Sequence, residues 1–156
     1  MTMQMTEEQR MATDGLRKVL DAEIEPKLRA HGEKFIPKEM MKGFIKTLTE
    51  YGLIRAPFPE QWGGLEMDWV THLRLWEEVG VSAIDLALPI LINVSGADML
   101  IRNASDSVKE KYVPGLLSGE VFISMGISEP DVGSDVAAAK TRAVRDGDYW
   151  VINGEK

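Results

Sequence analysis

The sequence predicts an α+β chain, an N-terminal multi-helical bundle running to about Glu120 and then the first strands of an antiparallel β structure. Three observations predict it. Up to Leu117, apolar residues recur at the spacing that gives a helix one buried face. From Val121 the pattern changes: Val121, Ile123, Met125 and Ile127 alternate with Phe122, Ser124, Gly126 and Ser128, as in a half-buried strand. Further on, Asp146-Gly147, a turn dipeptide typical of hairpins, separates strand-like residues 140–145 from 148–153.

Each element has its local reason. Thr6 can cap a first helix, with Gln9 three residues on and Glu7 and Glu8 where a helix start favours negative charge. Met11, Leu16, Val19, Leu20, Ile24 and Leu28 form its stripe, which Gly15 weakens and Pro26 should end or kink. A second helix starts with Pro37 at its first position, carries Met40, Met41, Phe44, Ile45 and Leu48, and closes near Tyr51-Gly52. Its methionines fall on the apolar stripe and read as core filler. Residues 53–67 hold two prolines and Gly63-Gly64, so they form an ordered loop, either a connector or a wall of a ligand pocket. Asp68 caps a helix with Val70, Leu73, Trp76 and Val79 on its stripe; His72 lies off that stripe and, like His31, is expected at the surface. Ser82 caps a helix apolar nearly all round from Ile84 to Ile92, bent at Pro89 and ended at Ser95-Gly96. A further helix holds Met99, Leu100 and Ile101, and the last runs from Val108 to Leu117, interrupted at Pro114 and ended by Ser118-Gly119.

Composition narrows the function classes. The 156 residues suit one domain or one domain with part of another, and 18 basic against 25 acidic side chains give a net charge of -7 with no basic cluster. That balance argues against nucleic acid or an anionic membrane as partner. No cysteine is present, which excludes disulfides and thiolate metal sites, and two separated histidines make a poor zinc site. The longest apolar run, Leu86 to Ile92, is too short for a membrane span, and the expected location is cytoplasmic.

Chemistry concentrates between Val121 and Asp135. Glu129-Pro130 fixes the backbone at Pro130, Gly133 offers a position with no Cβ, and Ser134-Asp135 adds two short polar side chains, so amides and hydroxyls converge at the strand end. The run Gly126-Ile-Ser-Glu-Pro-Asp-Val-Gly-Ser-Asp135 resembles the signature of the acyl-CoA dehydrogenase family. Pro59-Glu-Gln-Trp-Gly-Gly-Leu65, Tyr112-Val-Pro-Gly-Leu-Leu-Ser-Gly-Glu120 and Asp148-Tyr-Trp-Val-Ile-Asn-Gly-Glu-Lys156 follow in the order that family shows. Val132 departs from it, being bulkier than the usual small residue.

The resemblance implies that residues 1–120 are the N-terminal helical domain and 121–156 the start of a middle antiparallel β-barrel domain, incomplete here. It implies FAD as cofactor and an acyl-CoA substrate oxidised at its Cα–Cβ bond, in fatty acid metabolism. Electrons would pass to an electron-transfer flavoprotein or similar acceptor, and the assembly would be a homo-oligomer, commonly a tetramer. It assigns Met125, Gly126, Ile127, Ser128, Gly133 and Ser134 to the cofactor and Ser134 also to the substrate's pantetheine arm. Backbone N–H groups at Ile127 and Ser128, with the Ser128 hydroxyl, would meet the flavin edge where charge gathers. Residues 88–94 would line the acyl-chain cavity, although the centre of a bundle explains them equally well.

Glu129 is tempting as a catalytic base. The resemblance makes it part of the turn, with the base supplied from a C-terminal helical domain absent from this sequence. Two other readings of the loop fail: Gly133 to Thr141 has Ala139 before Lys140 and is too long for a phosphate-binding loop, and Asp131 and Asp135 lack the further ligands of an EF-hand. Two functions therefore remain, the N-terminal part of a flavin-dependent acyl-CoA dehydrogenase, or a non-catalytic fragment or subunit that packs with another chain.

Overall fold

Thr6 opens the first helix through its own side chain. In the computed structural model, which describes residues 4–32 and 34–156, Thr6 Oγ1 accepts from Gln9 N at 3.2 Å and Gln9 Oε1 accepts from Thr6 N at 3.1 Å. This reciprocal cap starts α1 (Glu7–Val19), which buries Leu16 and Val19. Pro26 does not end the helical run. The chain widens into one turn, Leu20–Ile24, where the Glu25 N–H reaches back to Leu20 O, and α2 (Glu25–His31) follows with Pro26, which has no N–H to donate, in its first turn. Leu20 and Ile24 stay fully buried through the wide turn, each contributing about 1.5–3 kcal/mol of burial.

The chain divides into two compact units, Met1–Ile123 and Ser124–Lys156. The first unit continues with α3 (Lys38–Glu50), for which Pro37 is the capping residue rather than the first helical one. Phe44, Ile45 and Leu48 face the core. Residues 53–67 are a core-forming loop: Leu53, Ile54, Ala56 and Phe58 are buried, and one short turn of helix spans Glu60–Trp62. Asp68 caps α4 (Trp69–Ser82), accepting from the Val70 and Thr71 amides at 3.0 Å.

The buried face of α4 differs from the expected stripe. Thr71, His72, Leu75 and Val79 point inward, whereas Val70 and Leu73 are exposed. His72 is therefore a core residue, 3% exposed, and its Nε2 lies 2.8 Å from the Leu53 carbonyl. A carbonyl only accepts, so the proton sits on Nε2, and burial lowers the ring's pKa and keeps it neutral. His31 is half-buried, its Nε2 3.1 Å from Phe35 O. Ser82 is not a cap; its hydroxyl takes a hydrogen bond from Arg17 Nη1 at 2.6 Å, beside the Arg17–Glu78 ion pair.

α5 (Ile84–Asn103) is one continuous helix, passing through Pro89 and Ser95-Gly96 without a break. Gly96 is interior because a Cβ there would run into the Ile123 side chain. By length and composition α5 could cross a membrane, which the division at Ser95-Gly96 concealed. Leu86, Ile90, Val94 and Ala97 belong to the bundle core, while Ile84, Leu88 and Met99 are exposed, so α5 is buried on fewer sides than its composition suggests. α6 (Asp106–Leu117) likewise runs through Pro114, then turns at Gly119 with φ 73°.

The expected strand at 121–128 does not form; the backbone groups of Val121 and Ile123 pair with helices instead of a partner strand. Val121 N donates to Gly115 O at 2.9 Å, and buried Asn93 donates to Val121 O at 2.9 Å while accepting from Ile123 N at 3.2 Å. The second unit contains a two-stranded antiparallel hairpin, β1 (Arg142–Asp146) with β2 (Tyr149–Asn153). Asp146 pairs with Tyr149, so the loop is Gly147-Asp148 rather than Asp146-Gly147, and Gly147 supplies the positive φ of 59°.

Two glycines test the packing in opposite directions. A Cβ on Gly64 would overlap the Phe58 carbonyl, so Gly64→Ala is expected to cost about 1–3 kcal/mol. Gly43 has open space on an exposed helical face, and Gly43→Ala should add about 0.5–1 kcal/mol. Urea denaturation of both variants measures this, and shifts of the same sign would contradict it.

Candidate functional site

The bend begins where the chain leaves Ile127 and ends at Asp135. Glu129 and Val132 close it by exchanging two backbone hydrogen bonds, Glu129 N to Val132 O at 2.9 Å and Val132 N to Glu129 O at 3.1 Å. Pro130 and Asp131 occupy the two central turn positions, where fixed φ at Pro130 suits the geometry. Val132, the bulky departure in the motif, closes the turn and is 5% exposed.

Glu129 holds this bend to the rest of the second unit. Its carboxylate accepts from Lys140 N at 2.6 Å and Thr141 N at 3.0 Å, and pairs with Lys156 Nζ at 3.0 Å. The side chain is only 4% exposed. The Lys140 amide first, then Thr141 and Lys156, favour the charged form and lower its pKa from 4.5 to about 2. A carboxylate so stabilised is a poor proton acceptor at neutral pH, consistent with a turn-forming role. Lys156 Nζ also donates to Ile127 O at 3.0 Å.

The sequence-assigned residues are distributed as follows. Met125 is half-buried; Gly126, Ile127, Ser128, Gly133 and Ser134 are exposed. Among the described residues, the Ile127 and Ser128 amides and the Ser128 hydroxyl meet no protein acceptor. Nothing lies within 4 Å of where a Gly133 Cβ would stand. Free donors beside an uncrowded backbone fit an acceptor-rich ligand such as the edge of a flavin ring.

Lys140, Thr141 and Lys156 escaped the sequence reading as partners of this bend. Two contribute through backbone N–H groups, which no residue type announces. Glu129-Pro130 signalled a turn but not its acceptors.

In the helical unit, Ile90, Leu91 and Val94 line a cavity of about 230 Å³ together with Trp69, Leu73 and Trp76. Leu88, in the same expected stretch, is 61% exposed and does not line it.

Residues 6–120 match the sequence model of the acyl-CoA dehydrogenase N-terminal domain. The chain is 34% identical over 153 residues to a cyclohex-1-ene-1-carbonyl-CoA dehydrogenase of Geobacter metallireducens, covering 97% of this chain and 40% of that protein. Among solved structures it resembles a glutaryl-coenzyme A dehydrogenase in its glutaryl-CoA complex, with TM-score 0.84 and 31% identity over 99% of this chain and 39% of that one. A Mycobacterium smegmatis glutaryl-CoA dehydrogenase in complex with FADH2 shares the fold, with TM-score 0.83 and 24% identity over 96% of this chain and 38% of that one. The chain thus spans about two fifths of the length of the relatives it matches.

The anchor has a defined acid response. Because its pKa is depressed on folding, Glu129 contributes stability that is complete above pH 4.5 and is lost as the pH falls through about 2. Carboxyl-detected NMR should give a Glu129 midpoint at about 2. A midpoint near 4.5, the ordinary value, would show that the Lys140 and Thr141 amides do not hold it.

Proposed function

The chain belongs to the acyl-CoA dehydrogenase family, and from that premise we propose that it is the N-terminal part of a flavin-dependent oxidoreductase acting on the Cα–Cβ bond of an acyl-CoA thioester. The observation that carries this reading is the bend at Ile127–Ser134, with donors that meet no acceptor among the described residues and an open Gly133 backbone. FAD, when bound, would accept the hydride from Cβ. The Ile127 and Ser128 amides and the Ser128 hydroxyl would orient the ring and stabilise negative charge along its edge. Met125 and Gly126 would flank it, Gly133 would let the backbone approach, and the Ser134 hydroxyl would bind the pantetheine arm.

Proton abstraction from Cα would not fall to Glu129, which is committed to its three donors. The α4–α5 cavity would receive part of the acyl group, its wall of Leu73, Leu91 and Val94 excluding water. An electron-transfer flavoprotein or similar acceptor would reoxidise the enzyme, which would act as a homo-oligomer in the cytoplasm.

A second reading, a non-catalytic piece that packs with another chain, is favoured by the exposed apolar residues Trp69, Val70, Ile84 and Leu88 and by the exposed hairpin residues Trp150 and Ile152. Intact mass and a visible spectrum separate the two. A yellow protein of the relatives' length supports the enzyme, and a colourless chain of 17.4 kDa supports the second reading.

Within the enzyme reading, Ser128→Ala is expected to slow flavin reduction about tenfold or more, as loss of a donor to developing charge does. Single-turnover reduction at the unaltered rate would show that the hydroxyl is idle.

A further inference from the structure

Lys156 touches the bend at two points that straddle Ser128: its Nζ lies 3.0 Å from Ile127 O and 3.0 Å from Glu129 Oε1. The Ile127 carbonyl and the Ser128 N–H belong to one planar peptide unit and, in the trans form, point in opposite directions. A cation on the carbonyl oxygen fixes the plane of that unit and polarises it, making its N–H a stronger donor on the far side. Glu129, nearly buried and itself held by the Lys140 and Thr141 amides, keeps the ammonium in register.

We propose that Lys156 is a positioning residue: held by Glu129, it binds the Ile127 carbonyl and thereby aims and strengthens the Ser128 amide as a donor to the flavin ring. This rests on the reading that the bend faces a flavin. Lys156 then tunes the redox ring while touching neither cofactor nor substrate.

The test uses Lys156→Met and Lys156→Arg in the purified protein. Without flavin, Lys156→Met should move the Ser128 amide proton upfield while the Lys140 and Thr141 amides stay in place. With FAD bound, its flavin midpoint potential should become more negative and its flavin reduction about threefold slower, less than the tenfold or more expected of Ser128→Ala. FAD affinity should be nearly unchanged, and Lys156→Arg should restore most of the potential.

An unmoved Ser128 amide and an unchanged potential would overturn the proposal. So would equal displacement of the Lys140 and Thr141 amides, which would make Lys156 a structural strut. If the unaltered protein takes up no FAD, the flavin reading fails, and that outcome is told apart because the Ser128 amide shift is read in flavin-free protein.

Discussion

The second unit depends on one carboxylate. Glu129 lies in a closed turn, accepts the backbone amides of the segment entering β1, and pairs with the lysine that follows β2. A two-stranded hairpin is marginal by itself, and its strands here are exposed along their whole length. Contacts from Glu129 to both flanks of the hairpin give the unit its definition. They also set the bend, because a turn closed by only two backbone hydrogen bonds would otherwise sample many conformations.

The helical unit meets a different constraint, the satisfaction of its last backbone groups. Asn93 is fully buried in the middle of α5, with its amide spanning Leu116 O, Val121 O and Ile123 N. A buried polar side chain is tolerated when its hydrogen bonds are made, and these hold the chain leaving α6 against α5. The start of the segment that resembles a strand in sequence is thereby tied to α5, and residues 124–128 follow it without a ladder partner.

Locally coded features were legible. Thr6 and Asp68 announce helix starts because a capping side chain bonds to amides two or three residues away. The hairpin was legible from Asp146-Gly147, but its loop was not, since pairing of Asp146 with Tyr149 is decided by the ladder. Faces were harder. α4 is apolar on two sides, so Val70 and Leu73 looked like core while His72, a residue type often at surfaces, fills it through a bond to Leu53. Ser95-Gly96 looked like a break because small residues end helices, yet here the missing side chain makes room for Ile123. The turn was legible in Glu129-Pro130, whereas its contacts with Lys156 were not, since they reach 27 and 29 residues along the chain.

As proposed above, the Glu129-anchored bend would present its peptide donors to a flavin ring. The most direct test is a crystal structure of the purified protein with FAD bound. The Ser128 amide is expected at about 2.7–3.2 Å from an acceptor on the flavin ring, with Lys156 still on the Ile127 carbonyl. A ring bound elsewhere, with Ser128 facing solvent or packed into protein, would contradict it.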